Sequence, residues 1–275
     1  MKKLLLLAVA ALMLVSCTVQ SPFTASEEYF QALGEEGTIV VTAEVERVKD
    51  GPFSSLLASV DDSILSRSQR LSLSLEWTGS GWLMSGAAEG NFPRSLVNTA
   101  LNWSRDFQKD EEVYRAKDGS MEATVPRNGL LLFSQTDVLA LKERTWANRV
   151  IRIDSSTART MAAADAAVYS VKPVSIPPLF IELPQSVVDK TEAFLLLLDG
   201  ADGSAYISGW MKMDSQQSAK TLLTLFRNEL VKAVRSRGEK LDTKLLSTYF
   251  QAAGDTVLLD FPLEVFTKDG GNAAL

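Results

Sequence analysis

The sequence predicts an α+β protein in which antiparallel sheets carry helices on one face. Alternating apolar and polar residues mark several segments as half-buried strands, and short glycine-containing turns join these segments in pairs. Between the pairs lie segments whose apolar residues recur at helical spacing. Hairpins dominate and crossovers are few, so the strands are expected to pair antiparallel.

The first half of the folded chain is predicted to begin at Thr38 with a strand. After a stretch with helical spacing between Phe53 and Leu65, a hairpin is followed by an amphipathic helix, a second hairpin and a short helix. These later elements are predicted at Leu71–Trp77, Trp82–Glu89, a helix from Asn91 through Trp103, Met121–Val125, Leu130–Phe133 and Val138–Trp146.

The second half repeats this order. Its elements are predicted at Ala193–Leu198, Ala205–Met213, Ser215–Arg237, Leu245–Phe250 and Thr256–Phe261. At a fixed offset of 123 residues, Ser85-Gly86 falls on Ser208-Gly209 and Trp103 falls on Phe226. This favours duplication of a strand–hairpin–helix–strand unit. The alternative is that meandering α+β chains resemble one another at this level of detail.

The expected organisation has five parts. Residues 1–16 are a signal peptide, 17–37 an acylated N-terminus and tether, 38–150 the first half, 151–186 a linker, and 187–275 the second half. The linker is predicted from a run of small residues followed by four prolines, which lack a backbone donor and favour extended chain. These are Pro173, Pro177, Pro178 and Pro184.

The N-terminus is typical of an export signal. Lys2 and Lys3 precede an apolar run of twelve residues, Leu4–Val15, and Ser16 stands before Cys17, the single cysteine of the chain. Twelve residues rise only about 18 Å as a helix, whereas a bilayer core is roughly 30 Å thick. The segment is therefore predicted to be cleaved rather than to span a membrane.

Leu14-Val15-Ser16-Cys17 resembles the lipobox of bacterial lipoproteins. The resemblance implies acylation of Cys17, including palmitate, and a lipid anchor in the cell envelope. Thr18 stands where aspartate retains enteric lipoproteins in the inner membrane, so the outer membrane, on its periplasmic side or surface, is favoured. The alternative is a plain secretory signal followed by an incidental cysteine.

Composition excludes several kinds of chemistry. The chain has 28 basic and 34 acidic residues, and loss of Lys2 and Lys3 leaves 26 against 34, about −8. This balance argues against nucleic-acid binding. Histidine is absent and acylation would consume the one thiol, so His-dependent triads, cysteine nucleophiles and zinc sites built from His or Cys are excluded. We expect no enzyme activity, no cofactor and no metal.

The helix Ser215–Arg237 is the candidate contact with a membrane or ligand. Its apolar residues are Leu222, Leu223, Phe226 and Leu230, and its basic residues include Arg227, Lys232 and Arg235, off that stripe. A basic amphipathic helix can lie in a bilayer interface. The alternative is a core helix whose cations lie favourably near its C-terminus.

The lipobox, the lack of histidine, the acidic α+β body and the amphipathic helices together resemble treponemal outer-membrane-associated lipoproteins. The resemblance implies a non-catalytic envelope role: binding lipid or an apolar ligand, or contacting the membrane surface. The alternative is a structural or assembly module that docks another envelope protein.

Lipidation gives the first prediction. Cells grown with radioactive palmitate should label this protein, and Cys17→Ala should abolish the label because no other thiol is present. Persistent labelling of the Cys17→Ala protein would contradict the anchor.

Overall fold

Twelve strands form a single antiparallel sheet in the computed structural model, which describes residues 35–57, 60–147, 153–177, 180–201, 204–239 and 242–266. The strands are β1 Ile39–Glu44, β2 Ser68–Trp77, β3 Trp82–Gly90, β4 Phe107–Asp110, β5 Val113–Ala116, β6 Glu122–Arg127, β7 Leu130–Ser134, β8 Ala166–Val171, β9 Thr191–Ala201, β10 Ser204–Met213, β11 Phe250–Ala253 and β12 Thr256–Pro262. The predicted α+β class is confirmed.

The described residues also form eight α-helices. They are α1 Val45–Val48, α2 Asp62–Leu65, α3 Arg94–Trp103, α4 Val138–Ala147, α5 Ser155–Ala163, α6 Gln185–Val188, α7 Gln216–Ser236 and α8 Thr243–Tyr249. Short polar side chains begin several of them: Ser215 caps α7, and the Asp154 carboxylate accepts hydrogen bonds from two backbone N–H groups of α5. Hydrogen bonds from the Ser156 and Thr157 hydroxyls, together with these backbone hydrogen bonds, hold the pKa of Asp154 far below its usual value.

Helices cover both faces of the sheet, whereas the sequence predicted one. Face A, which carries Ile39 and Leu196, is covered in the second half by α7, and face B, which carries Val40, is covered by α4 and α5. The reason lies in the central strands. Successive residues of β1, β8 and β9 are buried, so these strands need apolar cover on both sides.

The sheet consists of two five-stranded units with the same order. Across the sheet the strands run β11-β12-β10-β9-β8-β1-β2-β3-β7-β6-β5-β4. The unit β1-β2-β3-β7-β6 therefore matches β8-β9-β10-β12-β11, with β4 and β5 as an addition to the first. The predicted duplication of the element order is observed, and the offset of 123 residues also places α2 on α6.

The two units also share their hydrogen-bonding register. Leu73 pairs with Gly86 in the first hairpin, and Leu196 pairs with Gly209, the positions 123 residues later. On the neighbouring strands, Gly86 pairs with Phe133 and Gly209 pairs with Leu259. One row thus crosses ten strands in equivalent steps: Ala123, Phe133, Gly86, Leu73, Val41, Val168, Leu196, Gly209, Leu259 and Phe250.

The segment 151–186, predicted to be a linker, contains α5 and the central strand β8. β8 pairs with both β1 and β9, so the second unit begins at Ala166 rather than at residue 187. Its small residues gave no alternating pattern because both of its faces are buried. Pro173, Pro177 and Pro184 follow β8 and lie between strands, as predicted.

Several predicted features lie outside the described residues. They are the signal peptide, Cys17 with the tether through residue 34, and Pro178 of the predicted linker.

A buried arginine ties α5 to the sheet. Arg70 on β2 is 3% exposed, and its guanidinium donates to Glu44 Oε2 at 3.0 Å and to the carbonyl of Ala162 at 2.9 Å. A third hydrogen bond reaches Thr42 Oγ1 at 3.2 Å. Burial lowers the pKa of Arg70, but an arginine remains charged at neutral pH. The cation therefore needs these partners, and they fix the last turn of α5 on face B.

Gly209 gives a test of the shared register. Its φ is +143°, and a Cβ there would lie 2.0 Å from the Leu195 carbonyl oxygen. We expect Gly209→Ala to lower the free energy of unfolding by roughly 2–4 kcal/mol, through backbone strain and overpacking. Gly81→Ala is the control, since nothing lies within 4 Å of a Cβ at that position. Urea unfolding measures both, and equal stability of the two variants would contradict the register.

Arg70→Met tests the clamp on α5. Removing the guanidinium leaves Glu44 and the Ala162 carbonyl without their donor, so we expect a loss of about 3–5 kcal/mol in unfolding free energy. Arg67→Met, at an exposed neighbouring position, should stay within about 0.5 kcal/mol of the native chain. An Arg70→Met protein as stable as the Arg67→Met control would show that the clamp contributes nothing.

Candidate functional site

The apolar stripe of α7 lies in the core. Leu222, Phe226 and Leu230 are each 0% exposed, and Leu223 is half-buried against the same cluster. Phe226 stacks on Phe250 with ring centroids 5.5 Å apart. Exposing three such side chains would cost on the order of 5 kcal/mol or more. The proposed contact of these residues with a membrane or ligand is therefore replaced by the alternative, a core helix.

The cations of α7 also differ from the expectation. The Arg227 guanidinium donates to the Phe250 carbonyl at 3.0 Å, so Arg227 fastens α7 to β11 instead of lying free beside the stripe. Lys232 forms an ion pair of 2.6 Å with Glu229 one turn earlier. Arg235 is exposed in the last turn, where a cation is favoured by the helix dipole. These three residues do not form one basic surface for a bilayer.

The counterpart of α7 in the first unit is α3, and its environment is different. α3 has ten residues and α7 has twenty-one. Trp103, which corresponds to Phe226, is 83% exposed, and Leu96 is 63% exposed. Leu96, Ala100 and Trp103 are exposed at the spacing i, i+4, i+7, so one apolar stripe of α3 faces solvent.

Polar contacts hold α3 in this orientation. The Asn128 side chain accepts a hydrogen bond from the Arg94 backbone N–H at 2.8 Å, replacing the cap that Pro93 cannot supply. The Tyr114 hydroxyl donates to the Asn98 carbonyl at 3.2 Å. On its inner side, Val97 packs against the core. The helix is thus fixed to β5 and to the β6–β7 turn with its stripe outward.

The short α3 leaves part of face A without full cover. In β2 and β3, Leu73, Leu75, Trp82 and Met84 are half-buried. Their counterparts 123 residues later, Leu196, Leu198, Ala205 and Ile207, are buried beneath the longer cover of the second unit. We call the set Leu73, Leu75, Trp77, Trp82, Met84, Leu96 and Trp103 the N-terminal apolar surface.

The charge of α3 differs from that of the whole chain. From Asn91 through Arg105 there are two basic residues, Arg94 and Arg105, and no acidic residue, in a chain with a net charge of −6. Both arginines are exposed. The exposed stripe is therefore flanked by positive charge at each end of the helix.

A second, smaller apolar row lies on face B of the second unit. Leu195, Trp210 and Leu258 pair across β9, β10 and β12. Leu258 is 41% exposed and Tyr206, further along β10, is 43% exposed. After β12 the described residues form only the short turn Leu263–Val265, which packs on face A. Leu195 is buried in the face B cluster and Trp210 is half-buried against it, so the accessible part of this row is Leu258 with Tyr206.

The described residues contain no group of three His, Cys, Asp or Glu side chains placed to hold a metal ion. Within the same residues, no helix is both long enough and apolar enough to cross a membrane. Open grooves of about 440 and 540 Å³ lie beside α2 and α6, the two short helices that the repeat makes equivalent.

Solved structures with a similar fold include three crystal forms of TP0453, a treponemal protein. Form III has a TM-score of 0.53 at 11% identity and covers 85% of this chain and 94% of that chain. Form I has a TM-score of 0.53 at 11% identity, with 86% and 93% covered. Form IV has a TM-score of 0.50 at 12% identity, with 85% and 92% covered.

No protein-family model matches this chain, and no curated protein matches it significantly. The similarity to TP0453 agrees with the treponemal resemblance of the sequence, and at this identity it shows a shared fold.

Proposed function

We propose that this chain is a non-catalytic lipoprotein of the bacterial cell envelope that binds a lipid bilayer surface through α3. Acyl groups on Cys17 supply the anchor, and the N-terminal apolar surface supplies a second contact. The observation that carries the proposal is the contrast between Trp103, 83% exposed, and Phe226, 0% exposed, at equivalent positions of the two units.

An exposed apolar side chain is stabilised when an apolar medium covers it. Burying a large apolar side chain is worth about 1.5–3 kcal/mol, so Leu96 and Trp103 gain several kcal/mol wherever an apolar medium meets them. Tryptophan is enriched at membrane interfaces because its ring is apolar and its N–H is polar. A helix of ten residues is about 15 Å long, which suits lying in the interface.

Charge favours a lipid partner as well. Arg94 and Arg105 flank the stripe, and each cation near an anionic bilayer contributes on the order of 1 kcal/mol. Because the rest of the chain is acidic, we expect the body to approach an anionic surface with α3 foremost. Thr18, which stands after the anchor cysteine where aspartate would favour the inner membrane, supports placement at the outer membrane.

A second candidate function is docking of another envelope protein. The observation that favours it is the exposure of Tyr206 and Leu258 on face B, beside the half-buried Trp210, because aromatic residues are enriched at protein interfaces. This row lies on the opposite face from α3, so the two functions are separable by mutation.

Vesicle flotation tests the proposal. Residues 18–275, produced without acyl groups, contain every residue of the described fold. We expect this chain to float with anionic vesicles and to bind more weakly as salt rises. Leu96→Ser with Trp103→Ser should weaken binding roughly a hundredfold or more, since the two side chains together lose about 3 kcal/mol or more of burial.

The matched control is Val174→Ser with Leu245→Ser, two exposed apolar residues outside the N-terminal apolar surface. This control should float like the native sequence, and thermal unfolding should be unchanged in both double variants. Equal flotation of the α3 variant and the control would refute the role of α3. A different result would favour docking. In that case the native chain does not bind anionic vesicles but co-purifies with an envelope protein, and Trp210→Ser with Leu258→Ser abolishes the co-purification.

A further inference from the structure

The two ends of the sheet differ in their relation to the predicted anchor. The described chain starts at residue 35 and enters the sheet at Ile39, the first residue of β1. We call this the entry end. Because the strands are antiparallel, β3, β4 and β6 also begin at the entry end, and β2, β5 and β7 finish there.

Three of the five tryptophans lie at the entry end on face A. Trp77 is the last residue of β2 and Trp82 the first of β3, and these two pair with ring centroids 5.1 Å apart. Trp103 is the last residue of α3, shortly before β4 begins at Phe107. α3 starts at the far end, where the Asn91 N–H donates to the Arg67 carbonyl at 2.7 Å.

The tip of the β2–β3 hairpin suits a lipid surface. Its turn, Thr78-Gly79-Ser80-Gly81, carries no charge, so no ion must be dehydrated when the tip approaches a bilayer. Trp77 and Trp82 flank this turn and both remain half-buried, so part of each ring is accessible. Hairpin stabilisation alone would explain the contact between the two rings. It does not explain why Trp103 lies at the same end and on the same face.

We propose that the entry-end part of face A rests on the bilayer, with the β2–β3 hairpin tip as a second contact beside α3. This rests on the proposed function and deepens it, because two contacts fix an orientation where one would leave the body free to rotate. The sheet then inclines toward face A, α3 lies along the lipid surface, and Trp77 and Trp82 reach the interface.

The position of the tether favours this end. Seventeen residues, 18–34, lie between Cys17 and the described chain, and at full extension this segment spans at most about 65 Å. A tether of this length allows the entry end to contact the bilayer but does not force it to do so. It keeps the entry end at high effective concentration near the bilayer, whereas contact at the far end would require the chain to run the length of the sheet first.

A single-cysteine dye experiment tests the orientation. Acylation of Cys17 leaves no thiol, so one introduced cysteine is labelled uniquely. The lipidated protein is reconstituted in anionic vesicles with an environment-sensitive NBD dye at Ser80→Cys in the hairpin tip, Thr99→Cys on the outer side of α3, or Ser66→Cys at the far end. All three native side chains are exposed.

We expect dye emission at positions 80 and 99 to be roughly threefold or more higher on vesicles than for the non-acylated protein in detergent-free buffer. The reason is that the dye leaves water when it enters the bilayer interface. Emission at position 66 should not change. If position 99 responds and position 80 does not, the orientation is refuted and the contact through α3 stands. If position 66 responds instead, the body rests on its far end. If no position responds, both the orientation and the proposed function are refuted.

A second measurement covers the tryptophans themselves. Vesicles with bromine on the lipid acyl chains quench nearby indole emission. A protein that keeps only Trp77 and Trp82, with the other three replaced by Phe, should be quenched. A protein that keeps only Trp210, on face B, should not. Equal quenching of the two would overturn the proposed orientation.

Discussion

The pairing of β1 with β8 is the interaction on which the rest of the sheet depends. Val41 faces Val168 across this junction, and each is the first step of an equivalent row through its own five-stranded unit. Because a shift of one residue would turn every apolar side chain to the opposite face, the junction sets the register of both units at once. Arg70 and α5 then close face B over these strands, and the small residues of β8 leave room for that helix.

Duplication gave the molecule two similar sheets with unequal cover. In the second unit α7 and its phenylalanine cluster bury face A completely around Phe226. In the first unit the chain after α3 turns into β4 and β5, which widen the sheet, so the helix stops after ten residues. At the positions where α7 buries apolar residues in the core, α3 therefore exposes apolar residues to solvent. An envelope protein with an anchor nearby can use such a surface, which would be a liability in a protein with no apolar partner.

The two contacts proposed for the bilayer are small, and the proposed anchor on Cys17 would strengthen them. Two tryptophans at a hairpin tip and one short helix bury little area, so either contact alone would bind weakly. When the chain is linked to an inserted acyl anchor, each contact forms within one membrane-bound molecule. The modest free energies of the two contacts then set the orientation of the body and not its affinity for the bilayer. The docking row on face B would remain accessible to a protein partner in the same orientation, since it lies on the other side of the sheet.

The sequence alone determined the features that depend on neighbouring residues. Alternation and glycine turns located the hairpins, helical spacing located α3 and α7, and the 123-residue offset located the repeat with Gly86 and Gly209 in register. It missed β8, because a strand buried on both faces has no alternation to detect.

Only the tertiary structure decided which amphipathic helix is covered. Phe226 and Trp103 occupy equivalent positions in similar patterns, but an amphipathic pattern specifies an apolar face and not what packs against it. What packs against each helix depends on strands that pair from distant parts of the chain. For this reason the candidate surface is on α3 and not on α7, where the sequence predicted it.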